Sequence, residues 1–153
     1  MKKIIIYCDM DGVLADFDKV PNAVARYKHE PNFFYELEPI AENVNAIKQL
    51  ISKDYLVKIL SKSPHENADN DKRKWLAKYL PEIENENIIF ARPHQTKISF
   101  VNELEKNFSL LFDDYEKTTT LSHLHFQLYK PFGPNMGHRR GSQHARNKTP
   151  FCQ

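Results

Sequence analysis

The chain has 153 residues, of which 41% are hydrophobic and 27% charged. That length suits about one domain, and the composition is that of a soluble globular protein, which excludes a disordered or membrane-embedded chain. The net charge of +2 divides unevenly: residues 1–116 hold 16 basic side chains against all 20 acidic ones, whereas residues 117–153 hold 6 basic and no acidic ones.

In chain order, residues 3–8 are a continuous apolar run rich in Ile, the pattern of a strand buried on both faces. A membrane span needs about 20 apolar residues. Asp9 follows the run at once, so it does not read as a signal peptide either. Val44, Ile47, Leu50 and Ile51 recur at helical spacing and predict a helix over 43–52. A second strand is expected at 55–60. Residues 68–80 carry Trp75, Leu76, Tyr79 and Leu80 on a helical pattern that Pro81 stops. A short third strand is expected at 88–90, then a helix over 96–107 with Thr96 as its cap. A fourth strand falls at 109–112 and a fifth at 125–129.

Strands alternating with helices argue for one α/β domain with a parallel sheet. From Pro131 onward Gly, Asn, Arg and His dominate without apolar periodicity. The expected division is therefore a core over 1–130 and a basic, extended tail over 131–153. Such a tail can meet a polyanion such as nucleic acid, although a solvated terminus is the plainer reading. Cys8 and Cys152 alone give no disulfide framework and no Cys-rich zinc site. The expectation is a cytoplasmic protein with reduced thiols, in which Cys8 packs as a small apolar residue. His123 and His125 could share a strand face as a metal pair, but no third ligand stands at suitable spacing.

In a parallel sheet the chemistry lies beyond the carboxyl ends of the strands. Asp9 and Asp11 follow the first strand, Ser61 the second, Lys97 the third, and Asp113 and Asp114 the fourth. Carboxylates gathered in this way repel one another, and a divalent cation relieves the repulsion. A hard, oxygen-only set suits Mg²⁺. The site composition points to metal-assisted phosphate chemistry.

The run Asp9-Met10-Asp11-Gly12-Val13-Leu14 resembles the first motif of the haloacid dehalogenase superfamily. Extended through Ala15-Asp16-Phe17, it is more specifically similar to the 5'(3')-deoxyribonucleotidase family. Weaker matches follow in order at 32–39, at 74–80 and at Leu111-Phe112-Asp113-Asp114, so the resemblance covers about residues 2–129. It implies a three-layer, Rossmann-like core with a mainly parallel sheet of about five strands. It also implies a Mg²⁺-dependent phosphomonoester hydrolase acting through an aspartyl-phosphate. Asp9 would be the nucleophile and Asp11 the general acid and base. Gly12 would give the backbone its sharp path beside the substrate, and Ser61 and Lys97 would bind the phosphoryl group. Asp9, the carbonyl of Asp11 and Asp114 would hold Mg²⁺, with Asp113 in contact directly or through water.

Some assignments stay open on the sequence. Relatives carry a compact Arg-x-Lys element where this chain has Arg92-Pro93-His94-Gln95-Thr96-Lys97, so Arg92 or Lys74 is an alternative to Lys97. Ser63 is likewise an alternative to Ser61. Relatives also carry a long helical cap after the first motif, whereas residues 12–40 leave room only for a reduced loop containing Tyr27, Lys28 and His29. The chemistry therefore transfers further than the substrate. A nucleotide comes first, a phosphorylated nucleic-acid end or other macromolecule second, and a catalytically silent binding protein third.

Overall fold

The computed structural model describes residues 4–101 and 109–113. Strands β1 (Ile5–Cys8), β2 (Leu56–Lys62), β3 (Ile88–Ala91) and β4 (Ser109–Phe112) form one sheet in the order β3-β2-β1-β4. Every pairing is parallel, with Cys8 level with Ile59 on one side and Phe112 on the other. The described sheet thus has four strands instead of about five. The expected fifth at 125–129 lies outside the described residues, as do His123, His125, Cys152 and the 131–153 tail.

Alternation along each strand separates two cores. Ile6, Cys8, Val57 and Ile59 face helices α2 (Ala41–Ser52) and α3 (Glu66–Tyr79), which contribute Val44, Ile47, Trp75 and Leu76. Tyr7, Leu60 and Leu111 face the other way, against Val101. The chain steps from β1 to β2 to β3 in one direction and then returns to place β4 beside β1. Helices α2 and α3 thus cover one face, as right-handed crossovers require, and Phe100 and Val101 pack on the other. The reversal of direction opens a crevice beyond the ends of β1 and β4.

The helix expected over 96–107 is a 3₁₀ turn, Lys97–Phe100, in the part that is described; residues 102–108 lie outside. Thr96 makes no side-chain cap there. Helix α3, by contrast, is capped by His65, whose Nδ1 accepts from the Ala68 amide at 3.2 Å.

Residues 12–40 hold one short helix, α1 (Ala23–Arg26), yet they are not a loose loop. Leu14, Ala15, Phe33, Phe34 and Leu37 are buried in the larger core. Phe17, Tyr27, Phe33 and Phe34 form one aromatic cluster, with ring centroids 5.2–6.4 Å apart. The end of the segment is tied to α3 by Trp75, whose Nε1 donates to the Leu37 carbonyl at 2.7 Å. Trp75→Phe leaves that buried carbonyl unpaired, at a cost of about 1–3 kcal/mol. A urea midpoint equal to that of the parent would show that the tie carries no load.

Candidate active site

The first motif is built by a tight turn. The amides of Leu14 and Ala15 both donate to the Met10 carbonyl, at 2.8 and 2.9 Å, and the Gly12 amide donates to Ala15 at 2.9 Å. Gly12 has φ 74°, a left-handed conformation that disfavours a side chain. This turn holds Asp9 and Asp11 side by side beyond β1. The Asp9 amide donates to Phe112 at 2.8 Å, which brings Asp9 to the end of β4 and so to Asp113.

Lys97 reaches the same point. Its buried ammonium lies 2.6 Å from Asp9 Oδ2 and 2.6 Å from Asp113 Oδ2. Asp9 Oδ1 accepts from the Met10 amide at 2.7 Å. Burial pushes the Asp9 carboxyl above the ordinary range; Lys97 opposes this, and Asp11 and Asp113 add to it. Burial alone would lower Lys97, but Asp9 and Asp113 hold its ammonium above the usual lysine value. Burial likewise raises the Cys8 thiol, with Asp9 adding to the effect, so Cys8 stays neutral and donates to the Asp9 carbonyl at 3.2 Å.

Lys72, on α3, is the site residue that the sequence reading missed. Its side chain is 0% exposed, and its ammonium lies 2.5 Å from Asp11 Oδ2. It also donates to Ser61 Oγ at 3.1 Å and to the Lys62 carbonyl at 2.6 Å, over the ring of Phe34. Three N–H donors thus meet three oxygens. The signal was present: helical spacing puts position 72 on the buried stripe of Ala68, Trp75 and Leu76. A lysine on such a stripe needs a buried acceptor, and Asp11 is it.

Both serines are fully buried; Ser61 Oγ accepts from Lys72, whereas Ser63 is among the residues that line the cleft. Arg92 makes a two-pronged ion pair with Asp69, at 2.9 and 2.8 Å, and donates to the Ser63 carbonyl. Burial works to raise Asp69, but the bonds from Arg92 and Ser63 hold its carboxyl below the usual range. Lys74 is exposed. Neither Arg92 nor Lys74 contacts Asp9 or Asp11. Asp114 lies outside the described residues.

The cleft over these groups has a volume of about 380 Å³. It is lined by Asp9, Asp11, Gly12 and Asp18, by Lys62, Ser63 and Pro93, and by the aromatic rings of Phe17, Tyr27 and Phe34. The 12–40 segment therefore furnishes part of the cleft lining.

The carboxylates fit a hard cation in part. Asp11 Oδ1 is buried without a hydrogen-bond partner among the described residues, an orphan acceptor that a cation or a proton would satisfy. No group of three or more metal-ligating side chains assembles among the described residues. Asp9, Asp113 and the Asp11 carbonyl supply oxygen only, as Mg²⁺ requires.

Comparison with known proteins agrees with this geometry. The family model described as "5' nucleotidase, deoxy (Pyrimidine), cytosolic type C protein" matches residues 19–101, more than half of the chain. A Vibrio phage KVP40 protein, whose name assigns it to the 5'(3')-deoxyribonucleotidases, is 28% identical over 109 residues. That match covers 64% of this chain and 62% of the phage protein. The crystal structure of the class C acid phosphatase from Bacillus anthracis with tungstate bound superposes with a TM-score of 0.50 at 20% identity. It covers 72% of this chain and 50% of that one, so the chain spans less than two thirds of each relative. The shared fold is the Rossmann-like core of the haloacid dehalogenase superfamily. Among the described residues no helix is long and apolar enough to cross a membrane.

Proposed function

We propose that this chain, which belongs to the cytosolic type C 5'-deoxynucleotidase family, hydrolyses phosphate monoesters of deoxyribonucleosides with Asp9 as the nucleophile. The observation that carries the reading is the pairing of two adjacent carboxylates with two separate buried lysines, Lys97 on Asp9 and Lys72 on Asp11. An Asp9 oxygen forms a bond to phosphorus as the bond from phosphorus to the ester oxygen breaks. Asp11 gives its proton to that leaving oxygen, then takes one from the water that attacks the aspartyl-phosphate. Inorganic phosphate leaves and Asp9 is restored. Lys97 holds Asp9 in place and balances charge on the transferring group. Asp9, Asp113, Asp114 and the Asp11 carbonyl would hold Mg²⁺, which supplies further neutralisation of phosphoryl charge.

The test is phosphate release from the four deoxynucleoside 5'-monophosphates, with Mg²⁺ and with chelator. Release is expected with Mg²⁺, less with Ca²⁺, and none in excess chelator. Mg²⁺ should also raise the thermal midpoint, because it binds only the folded chain. Phe17 and Tyr27 are partly exposed rings lining the cleft, and stacking on a ring tolerates any base. The spread of kcat/KM among the four is therefore expected to stay below about tenfold, or 1.4 kcal/mol. Turnover undiminished by chelator removes the metal from the reading, and a preference above about a hundredfold removes the unselective stacking.

A further inference from the structure

Three lysines border the site, and two of them are matched to carboxylates. Lys97 lies between Asp9 and Asp113, and Lys72 lies against Asp11. Lys62 is different. It lines the same cleft from the end of β2, is exposed, and its ammonium donates to the neutral Pro93 carbonyl at 3.0 Å. Lys62 is thus the lysine of this cleft with no carboxylate partner among the described residues, and an exposed ammonium bonded only to a neutral carbonyl can receive an anion.

The sheet order says which anion. Asp9 follows β1, Lys62 ends β2, and Pro93 follows β3, on the side of β2 away from β1. The Lys62 ammonium therefore reaches away from the nucleophile. At the strand ends β3 stands two spacings of roughly 4.8 Å from β1. An ammonium held toward β3 is set beside the phosphoryl position at Asp9 and not on it. The cleft runs along this edge, with the rings of Phe17 and Tyr27 to take a base.

From this arrangement, and resting on the nucleotidase reading above, we propose that Lys62 binds a second phosphate carried by the leaving nucleoside. The substrate class is then a deoxynucleoside bearing two separate phosphates, of which the one at Asp9 is released. A nucleoside 3',5'-bisphosphate and the 5'-phosphorylated end of an oligonucleotide share this chemistry. The Pro93 carbonyl is the resting partner that Lys62 leaves on binding, a neutral acceptor exchanged for a charged one.

The experiment compares kcat/KM for deoxythymidine 5'-monophosphate, deoxythymidine 3',5'-bisphosphate and a 5'-phosphorylated oligothymidylate. The unmodified chain should prefer the doubly phosphorylated substrates by at least about tenfold. In Lys62→Ala the ratio of either to the monophosphate should fall toward one, and Lys62→Arg should retain it. For the oligonucleotide, Lys62→Ala should also flatten the log–log salt dependence by about 0.7, the share of one phosphate contact on a single strand. A larger preference for the oligonucleotide than for the bisphosphate marks a strand end as the natural substrate; the reverse marks the bisphosphate.

A ratio near one in the unmodified chain, with the monophosphate still hydrolysed, overturns the second-phosphate site and leaves the phosphatase reading standing. Calorimetric binding of the bisphosphate to Asp9→Asn and to Asp9→Asn/Lys62→Ala is read alongside. If nothing is hydrolysed but that binding still weakens about tenfold on losing Lys62, the anion site stands and the phosphatase reading falls. Equal binding by the two variants overturns the site whatever the turnover.

Discussion

Asp9→Asn is expected to abolish phosphate release while leaving the chain folded. The amide has the shape of the carboxylate and can still accept from the Met10 amide, where Asp9 Oδ1 is held at 2.7 Å. It has no anionic oxygen with which to form the bond to phosphorus. The loss should exceed roughly 10⁴-fold, or about 5.4 kcal/mol of barrier. Stability should not fall with it. Burial and the neighbouring Asp11 and Asp113 all disfavour the charged form of Asp9, and a neutral amide escapes that cost. Lys97 keeps Asp113 as a partner at 2.6 Å. Asp11→Asn should cost less, roughly 10²–10⁴-fold, because it removes proton transfer and leaves the nucleophile. A colorimetric phosphate assay with thermal denaturation of the same samples checks both. If Asp9→Asn kept more than a few per cent of the rate, a covalent route through Asp9 would be wrong.

The parts of this site that could be read from the sequence are those fixed by strand ends. A buried parallel strand is a short apolar run, so its last residue is visible as the place where the run stops. Asp9 after Cys8 and Asp113 after Phe112 were found in that way, and the parallel register brings them together. Lys97 was harder, because the six residues from Arg92 to Lys97 gave no period to follow. In the fold Arg92 is paired with Asp69 on α3, whereas Lys97 lies against Asp9 and Asp113. The end of the apolar run favours Ser61 over Ser63, two positions on and past the end of β2. Both are fully buried, and Ser63 is the one that lines the cleft. The turns of the 12–40 segment carry no periodicity, so its sequence predicts only a loop. Its burial comes from aromatic contacts between residues far apart in the loop, Phe17 with Tyr27 and Phe33, which no local pattern encodes.

Lys72→Met is expected to be the most damaging change outside the motifs. Methionine fits the same buried stripe beside Trp75 and Leu76, so the packing volume is nearly conserved. The charge is not. Asp11 Oδ1 already lacks a partner, and without Lys72 its Oδ2 would lose the ammonium held at 2.5 Å. Breaking a buried pair from one side costs about 3–5 kcal/mol. Asp11 is 25% exposed, so water repays part of the loss and about 2–3 kcal/mol is expected. Activity should drop further than stability accounts for. Lys72 fixes the direction of the Asp11 carboxylate, and a misplacement of about 1 Å can cost 10²-fold in rate. The double-mutant cycle with Asp11→Asn isolates the pair. In the Asp11→Asn background no buried carboxylate remains to be stranded, so the stability cost of Lys72→Met should shrink by more than about 1 kcal/mol. Additive costs across the cycle, measured by urea denaturation, would mean that Lys72 serves the fold alone and that Asp11 is oriented by its own turn.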